Sequence, residues 1–185
     1  MTPLSTVGPF VRLLVHDRPE GVDTLAAEGA RGERIVIEGT LRDGTGAPID
    51  DGLVEIWQAD AEGRYPHPED PRAGAADPAF TGFGRVATGA SGTFTFHTIK
   101  PGRVPGPDGR LQAPHILVSV MARGIMSRCW TRLYFEDEPS NAEDAVLQCV
   151  PDARRGTLLA RSLGGGHYRF DIVVQGEGET VFFEA

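Results

Sequence analysis

The sequence predicts an all-β protein: an antiparallel β-sandwich core with an N-terminal arm, long loops and one short helix. Three observations carry this prediction. Roughly seven short runs alternate apolar and polar residues with period two, Gly-rich turn signals separate them, and a single stretch has helix signals. At 185 residues the chain is long enough for one sizeable core, since single domains commonly span about 100–200 residues.

Residues 1–33 mix Pro, Gly and charge around one short apolar run, Phe10 to Val15, and read as an arm ahead of a domain over 34–185. Thr6-Val7-Gly8-Pro9 is turn chemistry, because Gly frees the backbone and Pro fixes it. A frayed terminus and a fixed bend against a partner fit these residues equally well. From Arg34 onward, Ile35, Ile37 and Gly39 alternate with Val36, Glu38 and Thr40 as far as the turn signal Asp43-Gly44-Thr45-Gly46, which is a strand and its turn. Leu53 to Ala59 gives a second strand. The stretch Asp60 to Thr81, with Pro66, Pro68, Pro71 and Pro78, is long for a loop in a compact domain and is expected to serve a function.

Gly84 to Thr88 and Thr93 to Ile99 read as a strand pair about Gly89-Ala90-Ser91-Gly92, with Phe94 and Phe96 on one face and Thr93, Thr95 and His97 on the other. His115 to Ala122 is almost wholly apolar, so it reads as a central strand covered on both faces. It pairs across Arg123-Gly124-Ile125 with Met126 to Phe135. Asn141 to Val150 is the expected helix, capped by Ser140 with Glu143 completing a capping box. Thr157 to Leu163 and Tyr168 to Val174 form a closing hairpin. Val181, Phe182 and Phe183 in the tail are expected to pack on the sandwich or on a second chain.

Composition narrows the function. Lys plus Arg (18) against Asp plus Glu (26) gives a net charge of -8. No basic run exceeds Arg154-Arg155, which argues against a nucleic-acid partner. Cys129 and Cys149 have no CxxC spacing and fit a reducing cytoplasm. No apolar run approaches the roughly 18 residues of a membrane span, and the start MTPLSTVGPF reads as no export signal.

Tyr65, after Gly63-Arg64, and His115, at the entry of the central strand, are of metal-ligating types. Each also has a plainer reading. A Tyr in a Pro-rich loop packs its ring and keeps its hydroxyl wet, and a His at a strand entry is held by hydrogen bonds. Spacing alone demonstrates no metal site. Arg132 and Tyr134 read as packing and interface residues.

Leu53 to Ala59 (LVEIWQA), Gly63-Arg64-Tyr65, His97 to Gly102 (HTIKPG) and Pro114-His115-Ile116 resemble the intradiol ring-cleavage dioxygenases, and the likeness covers nearly the whole chain. The start TVGPF, the run MARGIMSRCWTRLYF and the close YRFDIVVQGEGETVFFEA are similar to the α-type chain of two-subunit members. In the catalytic chains of that family Fe(III) is held by two tyrosines and two histidines, and an arginine stabilises charge on the ring. The resemblance puts Tyr65 at the first tyrosine position and His115 at the first histidine. It puts Val104 at the second tyrosine, Leu117 at the second histidine and Gln112 at the arginine.

The resemblance therefore implies no catalytic residue and no metal ligand in this chain, only the remnant set Tyr65, Val104, Gln112, His115 and Leu117. It implies Fe(III) bound by a β partner, within a larger hetero-oligomer that cleaves 3,4-dihydroxybenzoate with O2 to 3-carboxy-cis,cis-muconate. Arg123 would meet the substrate carboxylate, for which a planar guanidinium is well suited, and Thr6, Gly8 and Pro9 would line the mouth of the pocket. Taken alone, Arg123 reads as a solvated turn residue. Two other readings stand beside this one: a self-sufficient dioxygenase using Tyr65, His115 and His67 or His97, and a transthyretin-like binding module without chemistry.

Overall fold

The computed structural model describes residues 23–183. Thr6, Gly8, Pro9 and the run from Phe10 to Val15 lie outside them. The all-β expectation is borne out. Among the described residues nine strands form one mixed sheet: β1 (Arg34–Arg42), β2 (Leu53–Trp57), β3 (Phe83–Ala87), β4 (Thr93–Ile99), β5 (His115–Met121), β6 (Cys129–Phe135), β7 (Leu159–Gly164), β8 (His167–Arg169) and β9 (Ile172–Val173). The order is β3-β2-β5-β6-β7-β8-β1-β4, with β9 beside β1.

Most pairings are antiparallel, but β6 with β7, and β1 with both β8 and β9, are parallel. Of these strands, β7 bridges two layers. Leu159 and Ala160 pair with Tyr134 and Phe135 of β6, and from Arg161 onward β7 pairs with β8. Ile56, Val118, Val120 and Leu133 from one layer meet Ile35, Ile37, Phe94 and Phe96 from the other in one buried cluster.

The β1 alternation is as the sequence predicts, with Ile35 and Ile37 buried and paired to β4. On β4 itself Phe94 and Phe96 are buried while Thr93, Thr95 and His97 are exposed. The predicted pairing of β3 with β4 is incorrect: β3 pairs with β2 and β4 with β1. The turn between them is a corner from one layer to the other, because Val86 packs against the same core as Phe94 and Phe96, and each strand is satisfied by another partner. The β5–β6 hairpin forms as predicted.

The predicted helix begins later than expected. Ser140 lies inside a 3-10 turn (Pro139–Glu143) capped by Glu138, and α1 (Ala145–Cys149) is capped by Asp144, whose Oδ1 accepts from Leu147 N at 2.8 Å. Asp144 is extended (φ −72°, ψ 115°), which interrupts the helix and gives Asp, a strong N-cap, its usual place. A second short helix, α2 (Asp152–Arg155), follows. The tail packs on the sandwich: Phe183 N donates to Trp130 O at 2.7 Å and Thr131 Oγ1 to Val181 O at 2.7 Å. Among the described residues no helix is long and apolar enough to cross a membrane.

Candidate functional site

The long segment after β2 is pinned by two carboxylates. Asp60, almost fully buried, accepts from Glu62 N and Arg64 N through Oδ1 (both 2.9 Å) and from Asp77 N through Oδ2 (3.0 Å). Gly63 closes the turn at φ 73°, where a Cβ would lie 2.0 Å from Arg103 O, so only Gly fits. Asp70 accepts from Tyr65 N (2.9 Å) and Arg72 N (2.8 Å) and pairs with the Arg72 guanidinium (3.0 Å). Burial alone would raise its pKa, but these bonds hold it down to about 2.

Tyr65, thus placed, stacks on Trp57 with ring centroids 5.8 Å apart and planes 13° off parallel, and His67 meets the same indole edge-on at 6.3 Å. These residues, with Asp70, Arg72 and Val104, line a cavity of about 640 Å³. Burial raises the Tyr65 phenol above its usual range, against a lowering by the charge of Arg132, so the side chain is a neutral phenol.

The register of the sheet brings in the rest. Trp57 on β2 faces Leu117 on β5, which faces Arg132 on β6, and one step along the same face His115 sits opposite Tyr134. His115 is buried; its Nδ1 lies 2.7 Å from Ala113 O, which makes Nδ1 the protonated nitrogen. Burial, reinforced by the Arg132 charge, lowers its pKa to about 4, so the ring is neutral. Gln112 N donates to Val104 O at 2.8 Å. Arg132 Nη1 donates to Gln112 Oε1 (2.6 Å) and to Tyr134 OH (3.2 Å), and Tyr134 OH donates to Asp144 Oδ1 (3.0 Å). Asp144, fully buried, also takes Ala113 N at 2.8 Å.

The structure thus gathers all five remnant residues on one face, and adds Arg132, Tyr134 and Asp144, which the sequence reading treated as packing, interface or helix. Counting register across the β5–β6 hairpin would have found Arg132, because it lies directly opposite Leu117. His97 is exposed on the outer face of the other layer, paired with Val36, and cannot join the set. Among the described residues no three His, Cys, Asp or Glu side chains form a metal-holding group.

Arg123 lies at the far end of β5, on the order of 25 Å along the strand from His115. Its turn depends on Gly124 at φ 87°, and its side chain is 81% exposed with one ion pair, to Asp51 at 3.2 Å.

A family model described as Dioxygenase matches residues 15–176. The protocatechuate 3,4-dioxygenase alpha chain of Burkholderia cepacia is 42% identical over 99% of this chain and 96% of its own length. The chain belongs to the intradiol dioxygenases. Within that family it is a homologue of the alpha chains: the beta chain of the same organism is 41% identical but over only 80% of this chain and 67% of its own length. Among solved structures, the dioxygenase domain of a dioxygenase carbohydrate-binding protein fusion from Streptomyces sp. SirexAA-E matches with TM-score 0.63 and 31% identity, covering 83% of this chain and 87% of that one. The family model's span includes both Trp57 and Arg132 of this intradiol dioxygenase chain.

Proposed function

We propose that the chain is the metal-free α subunit of a protocatechuate 3,4-dioxygenase, working with a β subunit that holds Fe(III). The observation that supports this is the donor set. Val104 and Leu117 are hydrocarbon side chains in the shell where a ferric ion would need anionic oxygen or imidazole, since Fe(III) is a hard Lewis acid. Tyr65 stays a neutral phenol and the Arg132 cation adjoins the set through Gln112. These residues do not fit a ferric ion.

On this reading the sandwich over 34–185 is required for assembly, and the arm over 1–33, with Thr6, Gly8 and Pro9, edges the partner's pocket. Arg123 supplies a cation to the substrate carboxylate, whose desolvation would otherwise cost several kcal/mol. The reaction belongs to the pair: both atoms of O2 enter 3,4-dihydroxybenzoate, and the bond between the hydroxyl-bearing carbons is cut to give 3-carboxy-cis,cis-muconate. The free cysteines Cys129 and Cys149 suit a reducing cytoplasm. The test is to purify the chain alone and co-expressed with its β partner. The expected result is no iron and no turnover from the chain alone, and cleavage of protocatechuate by the complex. Stoichiometric iron with a tyrosinate-to-iron absorption band in the lone chain would sink the proposal.

A further inference from the structure

Beside the remnant set one charge stands out. Arg132 grows from β6 directly opposite Leu117, and its guanidinium turns along the sheet face toward Gln112 and Tyr134. A guanidinium has five N–H donors; Arg132 gives Nη1 to two neutral oxygens, and among the described residues it makes no salt bridge. Its nearest linked carboxylate is one hydroxyl away, through Tyr134 OH to Asp144. A half-buried cation held by two neutral oxygens thus bears electrostatically on both the Tyr65 phenol and the His115 imidazole.

We infer that Arg132 is a surrogate for the metal: its guanidinium fills the place on which Tyr65, Gln112, His115 and Leu117 converge, keeps the remnant shell ordered around a fixed positive charge, and bars a metal ion from it. This rests on the metal-free reading above and deepens it. Loss of two donors makes a site weak, whereas a resident cation makes it repulsive. The side chain acts through Gln112 and Tyr134, so it is a positioning residue. The Tyr134–Asp144 link then serves as its counter-charge, and because Asp144 also caps α1 and takes Ala113 N, the cation is tied to the backbone that leads into His115.

The test restores the missing donors and varies the cation. The full chain carrying Val104→Tyr and Leu117→His is prepared with position 132 as Arg, Lys or Gln and titrated with ferric nitrilotriacetate, reading bound iron and the tyrosinate-to-iron band. The Gln form should bind at least roughly a hundredfold more tightly than the Arg and Lys forms, because like charges a few ångströms apart repel strongly away from bulk water. Equal loading of the Arg and Gln forms, or refusal of iron by all three, overturns the inference. A second measurement needs no grafted ligands. In the otherwise native chain, amide exchange at Gln112 and His115 should quicken at least about tenfold in Arg132→Gln and much less in Arg132→Lys, since local opening governs such exchange. Equal quickening in both would show that the charge is irrelevant. The native chain is titrated alongside: uptake of iron there sinks the metal-free reading, whereas a dependence on residue 132 that fails to appear sinks only this inference.

Discussion

The two ends of β5 present opposite solutions to the placement of an arginine. At the His115 end, the guanidinium of Arg132 lies in a half-buried face, tied by Gln112 and Tyr134 and backed by the fully buried Asp144. At the Arg123 end, the guanidinium sits on a turn, 81% exposed, with one ion pair to Asp51. A guanidinium tied into its own chain must break those hydrogen bonds to be redirected, while one held by a surface pair, worth about 0–1 kcal/mol, can be handed over at little cost. One arginine is tied into the sheet face, and the other stands exposed on its turn.

The largest effect should come from breaking the buried end. Asp144→Ala would leave Ala113 N, Leu147 N and the Tyr134 hydroxyl without their acceptor, and buried groups left unsatisfied cost about 1–3 kcal/mol each. A loss on the order of 3 kcal/mol in urea unfolding is expected; a loss under about 1 kcal/mol would mean that water replaces the carboxylate easily.

Acid should sharpen the same contrast. His115 titrates near 4 in the fold against 6.5 free, chiefly because it is buried. Between those values the unfolded chain binds the proton and the folded chain does not, so stability is complete above pH 6.5 and declines as the pH falls toward 4. His115→Gln should flatten that part of the stability profile, and identical profiles for the two proteins would remove His115 as the cause.

At the other end, Arg123→Ala is expected to leave folding within about 0.5 kcal/mol of the parent, as exposed substitutions usually do. In the assembled α/β enzyme the same change should raise KM for protocatechuate roughly tenfold and lower kcat less, the pattern of lost uniform binding. Unchanged steady-state kinetics at low salt would end its assignment to the substrate. The smallest effect belongs to Asp51→Ala, which frees Arg123 from the one ion pair it makes among the described residues and should change stability by less than about 0.5 kcal/mol. A larger change would mean that the turn needs the pair to hold its shape.

Much of the architecture could be read from the chain. Period-two runs located β1, β4 and the β5–β6 hairpin because one face of each must be apolar to meet the core, and the Pro-rich stretch after β2 marked a long loop. The β3–β4 error came from the same rule: Gly89 to Gly92 marks a turn, but a turn signal does not say whether the chain returns beside itself or crosses to another layer. Ser140 misled for a related reason, since caps are fixed by backbone angles, and it was Asp144 that had the extended ones. For the site, Tyr65 and His115 were recognisable by type, and Val104 and Leu117 by their place in the family pattern. Arg132 was passed over because its residue type marks nothing by itself; only counting register across the predicted hairpin puts it opposite Leu117.

The amino-acid order, then, was sufficient for the class of fold, the family and the absence of two donor side chains, since each depends on residue types at set spacings along one strand or loop. Folding alone assigned the two arginines to a half-buried face and an open turn. That assignment follows from strand register and layer crossing, which join residues far apart in the chain through contacts that no local pattern encodes.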